Sequence, residues 1–124
     1  MVTSVTSLGR NGISDWLVQR VSAVLLGVYL IGLAGYLICT GSDLEYATWH
    51  ALMTSLPMMI INTLVVFAIA AHAWIGLWIV TTDYLTSLQL KGAATGLRLL
   101  VQSVLALLLL VYVLWGLWMI WGGA

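Results

Sequence analysis

The amino-acid sequence predicts an all-α protein with three transmembrane helices. Of its 124 residues, 63% are hydrophobic and 6% are charged, whereas charged residues make up about 25% of an average soluble protein. Four basic and four acidic side chains cannot cover the surface of a soluble domain of this size, so lipid must surround much of the chain. The charged residues also leave three long uncharged runs between them.

Each uncharged run is long enough to cross a bilayer. The runs comprise residues 21–42, 46–82 and 99–124, and a membrane-spanning helix needs about 20 apolar residues. Pro57 marks the start of the second helix, because proline is tolerated in the first turn. We predict one transmembrane domain, residues 1–124, with helices near 16–39, 57–82 and 97–121. The first apolar run exceeds a signal-peptide core of roughly 7–15 residues and is expected to be retained.

The basic residues predict the orientation in the membrane. Two arginines, Arg10 and Arg20, precede the first span, and Lys91 and Arg98 lie between the second and third. The connection between the first two spans carries only acidic charges. The positive-inside rule therefore places the N-terminus and the 83–96 loop in the cytoplasm or in the matrix of an organelle, and the C-terminus on the opposite side of the membrane. Aromatic residues typical of a membrane interface cluster on the side opposite the N-terminus: Tyr46, Trp49, Trp115, Trp118 and Trp121.

Composition excludes several classes of function. The formal net charge is zero, so the chain has no basic face for nucleic acid. The single cysteine, Cys39, excludes an internal disulfide and a cysteine-only iron–sulfur site within the chain. The small number of polar residues per span, without an inverted repeat, also argues against a channel or transporter protomer.

His72 is the main candidate for a functional residue. It precedes Asp83 by 11 residues, which places it about 16 Å deeper, near the membrane centre. Packing, proton relay and metal ligation are all open roles for an imidazole at that depth. Ala68 and Gly76 lie one turn away on either side, and such a small face suits either a flat macrocycle such as haem or a plain helix contact.

A six-coordinate haem on His72 is expected to take its second axial ligand from another chain. A methionine of this chain is the less favoured alternative, because the candidates lie in the loop or near the far membrane face: Met53, Met58, Met59 and Met119. The other histidine, His50, is 22 residues away, or about 33 Å along a continuous helix. The chain would then form half of a heterodimeric haem-binding membrane bundle. Arg20, at the cytoplasmic end of the first span, is a candidate for contacting the haem propionates; an interfacial anchor is the equally simple alternative.

Two residues at the cytoplasmic end of the second span form a candidate quinone site. The phenol of Tyr84 can donate a hydrogen bond to a quinone carbonyl, and the neighbouring Asp83 can hold a cation or carry protons. The alternative is an ordinary interfacial ending of a span. Three further polar residues are expected to form hydrogen bonds between helices: Asn62, Gln102 and Ser103. Two others flank Arg20 and are expected to line a polar cavity at the cytoplasmic face: Gln19 and Ser22.

These motifs resemble the hydrophobic membrane anchor subunit, the D subunit, of bacterial succinate dehydrogenase. The block His72-Ala73-Trp74-Ile75-Gly76-Leu77-Trp78 with Thr82-Asp83-Tyr84 carries the resemblance, together with an opening similar to that of the family, Leu8-Gly9-Arg10-Asn11-Gly12 with Asp15 and Arg20-Val21-Ser22-Ala23. The resemblance covers nearly the whole chain. The 85–96 connector looks longer than is usual for this family.

The resemblance implies specific roles for the candidate residues. His72 would be one axial ligand of haem b, with the other ligand from the companion cytochrome b556 subunit. Tyr84 would bind a ubiquinone carbonyl, Asp83 would lie beside that site, and Arg20 would lie near the haem propionates. The other partners would be an iron–sulfur subunit and a flavoprotein that carries FAD. A quinol:fumarate reductase anchor and a haem-free structural anchor remain alternatives.

Overall fold

The computed structural model of the chain describes residues 12–84 and 94–122. Arg10, Lys91 and most of the 85–96 connector lie outside these residues. The described part contains four α-helices: α1 (Gly12–Thr40), α2 (Tyr46–Met53), α3 (Leu56–Tyr84) and α4 (Ala94–Leu117). A 3-10 turn, Gly41–Asp43, follows α1, and a π-helical turn, Trp118–Gly122, continues α4.

Three of these helices, α1, α3 and α4, are long and apolar enough to cross a membrane. No strand occurs in the described residues, so the prediction of an all-α fold with three spans is confirmed. The short helix α2 was not predicted. Its residues carry no charge, like those of the span that follows. They were therefore predicted to be an irregular segment leading into the second span before Pro57.

Local chemistry explains where the helices end. Gly41 has a φ of +53°, a left-handed conformation that glycine adopts without steric cost and that commonly follows a helix C-terminus. Pro57 lies in the first turn of α3, where its missing N–H removes no helical hydrogen bond. The chain can therefore leave α1, form α2 and enter α3 within a short stretch.

The central helix of the fold is α3, which packs against α1 and against α4. The buried hydrophobic side chains among the described residues all belong to α3: Met59, Val65, Ala68 and Ile75. Most large apolar side chains on α1 and α4 are exposed. We define the N-terminal face as the end of the bundle where α1 begins and α3 ends, and the C-terminal face as the opposite end.

Hydrogen bonds and interfacial aromatics join the helices at the C-terminal face. The Trp121 indole N–H donates to Thr63 Oγ1 at 2.9 Å and so ties the π-helical turn to α3. The ring of Trp49 on α2 lies 6.4 Å from that of Tyr36 on α1. Large aromatic side chains remain exposed at this end, as is typical of a membrane interface: Tyr46, Trp115 and Trp118.

Candidate functional site

His72 lies where α1 and α3 are in contact. Because the two helices run antiparallel, residues near the start of α1 lie opposite the second half of α3. Ser22 of α1 is the residue that meets the histidine, with its Oγ 3.2 Å from His72 Nδ1. The imidazole is partly buried in this chain, so its ring is not enclosed by the three helices alone.

Ser22 is one of the two buried polar residues in the described part of the chain, with 5% of its surface exposed. Its hydroxyl oxygen also lies 3.1 Å from the backbone carbonyl of Gln19, to which it donates a hydrogen bond. The site therefore holds His72 through Nδ1. Within residues 12–84 and 94–122, no hydrogen bond engages His72 Nε2.

Gly76, one turn after His72, faces α1 and not an open cavity. A Cβ built on Gly76 would lie 3.4 Å from Gln19 Nε2, which is ordinary van der Waals contact. Ala68, one turn before His72, is buried. The small face of α3 around His72 was predicted to accommodate either a flat macrocycle or a neighbouring helix. At Gly76 the structure shows close packing of a neighbouring helix.

Gln19 and Ser22 lie at the contact between α1 and α3. They are three residues apart, so they occupy the same side of α1. The Gln19 side-chain oxygen is buried and has no hydrogen-bond partner in the described part of the chain. Together with His72, these residues form a polar cluster within an otherwise apolar pair of helices.

Arg20 points away from this polar cluster. It follows Gln19 and precedes Ser22 by two residues, a spacing that places its side chain on another side of α1. The guanidinium is exposed and lies over the Trp16 ring, 5.6 Å from the ring centroid. The described residues therefore do not bring Arg20 into contact with His72, although both lie towards the N-terminal face.

Asp83 and Tyr84 occupy the last turn of α3 at the N-terminal face. Their side chains lie outside the described part of the structure. One turn earlier, Thr81 is only 4% exposed; it donates to the Trp78 carbonyl at 2.8 Å and accepts from Gln102 Nε2 of α4 at 3.0 Å. The backbone that carries the two candidate quinone residues is thus attached to α4.

The described residues bring no second histidine near His72. They contain no group of three or more His, Cys, Asp and Glu residues that could hold a metal ion. His50 is exposed on α2, at the C-terminal face, with its ring 5.6 Å from that of Tyr46. His72 lies 16 residues beyond the start of α3, about 24 Å along the axis.

Two of the three polar residues predicted to form hydrogen bonds between helices do so. Asn62 accepts a hydrogen bond from the Tyr29 hydroxyl at 2.6 Å, and Gln102 donates to Thr81. Ser103 is exposed on α4 and forms no such bond among the described residues. The contact of Ser22 with His72 was missed, although the three-residue spacing from Gln19 indicates a shared polar side of α1.

The chain matches known proteins along nearly its whole length. A sequence profile of the family described as succinate dehydrogenase/fumarate reductase transmembrane subunit matches residues 4–114. The chain is also 35% identical over 117 residues to the succinate dehydrogenase hydrophobic membrane anchor subunit of Coxiella burnetii (strain RSA 493 / Nine Mile phase I). That alignment covers 94% of this chain and 95% of the relative.

Proposed function

This chain belongs to the succinate dehydrogenase/fumarate reductase transmembrane subunit family, and we propose that it supplies one axial ligand of a haem b and part of a quinone site. As a membrane anchor subunit it is a component of an oxidoreductase complex, and it does not itself oxidise succinate. Its own contribution to electron transfer therefore depends on the residues that its three helices present at and near the N-terminal face.

The contact between Ser22 and His72 is the observation that carries the haem proposal. A histidine that binds a metal through one ring nitrogen almost always forms a hydrogen bond through the other. His72 Nδ1 has such a partner at 3.2 Å, and the ring is only partly covered by this chain. Nε2 is therefore the nitrogen proposed to bind iron, with the second axial histidine supplied by the companion cytochrome b556 subunit.

The residues of this chain fit one half of a haem site. Haem is a mostly apolar macrocycle. Ser22 and Gln19 of α1 are polar, but the α3 residues on either side of His72, 68–71 and 73–79, are all apolar. When bound, the haem would store and release one electron at a time between the peripheral iron–sulfur clusters and the quinone. Arg20, exposed at the N-terminal face, would contact a propionate, and its position over Trp16 equally suits an interfacial anchor.

Tyr84 and Asp83 are proposed to form this chain's part of the ubiquinone site. Their place in the last turn of α3 allows the quinone tail to remain in lipid while its head group meets polar groups. The Tyr84 phenol would donate a hydrogen bond to a quinone carbonyl, and Asp83 would organise the site and its protons. The bond from Gln102 to Thr81 supports this geometry, because it fixes the preceding turn of α3 against α4.

The proposed assembly contains this chain, the cytochrome b556 subunit, an iron–sulfur subunit and a flavoprotein with FAD. It would reduce ubiquinone with electrons from succinate, as part of the tricarboxylic acid cycle and the respiratory chain. Two pairs of basic residues support a bacterial inner-membrane topology with a cytoplasmic N-terminus and a periplasmic C-terminus: Arg10 and Arg20 at the start of the first span, and Lys91 and Arg98 ahead of the third. The peripheral subunits would then dock at the N-terminal face.

Two alternatives follow from the same observations. A haem-free structural anchor is possible, because the Ser22 hydroxyl also satisfies a histidine that merely packs between helices. An anchor of a quinol:fumarate reductase would contain the same helices and run the reaction in the opposite direction.

A reduced-minus-oxidised absorption spectrum of the purified complex tests the haem proposal. We expect a b-type α-band in the wild type and its loss or shift in His72→Ala, with His50→Ala as the matched control that keeps the wild-type band. Absence of the band in the wild type, or an unchanged band in His72→Ala, would favour the haem-free anchor. To compare the two directions of the reaction, the succinate:quinone and quinol:fumarate activities are measured in the same preparation.

A further inference from the structure

We propose that Ser22 is a positioning residue that fixes the tautomer and the ring orientation of His72. This inference rests on the proposed haem ligation by His72 and adds to it a residue on a different helix. The Ser22 side chain is 5% exposed, so it has no free access to solvent, and both of its polar contacts are within the protein.

The two contacts of the Ser22 hydroxyl decide where the imidazole proton lies. A serine hydroxyl has one proton to donate and lone pairs to accept with. Its oxygen is 3.1 Å from the Gln19 carbonyl, which can only accept, and 3.2 Å from His72 Nδ1. When the proton points to the carbonyl, the oxygen accepts a hydrogen bond from His72 Nδ1–H.

This arrangement leaves the lone pair of a neutral imidazole on Nε2. The opposite arrangement, in which Ser22 donates to Nδ1, places the ring proton on Nε2 and blocks that nitrogen as a metal ligand. The Gln19 carbonyl therefore favours the tautomer that iron needs. Because Gln19 and Ser22 are on α1 whereas His72 is on α3, correct packing of the two helices itself aligns the ligand.

The chain provides a matched set of variants for the test. Ser22→Ala removes the hydroxyl. Ser22→Thr and Ser22→Val introduce side chains of nearly equal volume, of which only threonine keeps a hydroxyl. Tyr29→Phe removes another α1–α3 hydrogen bond, that to Asn62, about 10 Å further along α1. It therefore controls for a general loosening of the two helices.

Two measurements on the purified complex report on the haem without relying on activity. The rate of haem transfer to excess apomyoglobin is expected to rise about 10- to 100-fold in Ser22→Ala and Ser22→Val, the usual effect of losing an outer hydrogen bond to a metal ligand. The low-spin ferric electron paramagnetic resonance signal should shift in the same two variants. Ser22→Thr and Tyr29→Phe should match the wild type in both.

The outcomes separate this inference from the proposed function. Wild-type behaviour of Ser22→Ala, or equal effects of Ser22→Thr and Ser22→Val, would overturn the positioning role while haem ligation by His72 stands. A wild-type complex without haem, or a His72→Ala complex with an unchanged haem signal, would instead overturn the ligation from which the inference starts.

Discussion

Tyr29 and Asn62 join the first and second membrane-spanning helices through a hydrogen bond of 2.6 Å between the phenol hydroxyl and the amide oxygen. The Asn62 amide nitrogen in turn lies 3.5 Å from the Met53 sulfur. The asparagine is thus held between α1 and the C-terminal end of α2. A single polar residue on α3 thereby fixes the relative positions of three helices at this depth.

We expect Tyr29→Phe to lower the free energy of unfolding by about 0.6 kcal/mol, the average for a hydrogen bond between membrane helices. The substitution keeps the ring and leaves the Asn62 amide oxygen without its donor. Unfolding of the purified complex by sodium dodecyl sulfate in mixed micelles measures the change. Tyr112→Phe is the control, because that side chain is 60% exposed on α4, and an equal loss in both variants would contradict the prediction.

Thr81→Val should destabilise the fold more than Gln102→Leu, although both break the same hydrogen bond. After Gln102→Leu, the Thr81 hydroxyl still donates to the Trp78 carbonyl at 2.8 Å. After Thr81→Val, the Gln102 amide remains between the helices without its partner, which costs about 1–3 kcal/mol. The double variant should recover part of that loss in the same unfolding assay. Equal effects of the two single variants would show that the orphaned amide finds another partner.

Gly116→Ala is expected to push α4 away from α3. A Cβ at Gly116 would lie 3.1 Å from Val66 Cγ2 and 3.5 Å from Cγ1, and the branched valine has little freedom to move aside. Overpacking of this kind typically costs about 1–3 kcal/mol. Val66→Ala in the same chain should restore most of the stability. An unchanged free energy of unfolding for Gly116→Ala alone would contradict the prediction, because it would show that α3 and α4 can move apart without loss of stability.

Tyr84→Phe should reduce the rate of quinone reduction roughly 2- to 12-fold, as expected for loss of one hydrogen bond of about 0.5–1.5 kcal/mol. Oxidation of succinate with an artificial dye should be unchanged, because the proposed site for succinate is on the partner subunits. The comparison of the two activities in one preparation therefore isolates the quinone site. Tyr36→Phe, at the C-terminal face beside Trp49, is the matched control and should behave as the wild type in both assays.

The number and position of the membrane spans were predictable because charge and length alone specify them. The uncharged runs and Pro57 located three helices whose ends lie within a few residues of those in the structure. The helix α2 was not predictable in this way, since residues 46–53 carry no charge that separates them from the following span. A pattern of charges contains no information about where an apolar stretch is divided into two helices.

The partners of the polar residues were harder to predict than the residues themselves. His72, Asn62 and Gln102 stand out in the sequence because polar groups are costly in lipid. Their partners depend on the register between helices, which a hydropathy pattern does not specify. This is why the contact of Ser22 with His72 was not predicted. It is also why the sequence left two roles open for Gly76, which in the structure faces the Gln19 amide.

Within the described residues, α1 and α4 contain no buried apolar side chain. This affects how long an unassembled copy of the chain is expected to persist in the cell. A newly made copy that has not met its companions holds its helices together through few packed groups, and the Gln19 oxygen and the Arg98 Nε atom still lack partners in the described part of the chain. We expect such a copy to be only marginally stable and therefore open to degradation by proteases. Partner subunits would protect it from degradation, so its abundance would follow theirs and any surplus would be removed.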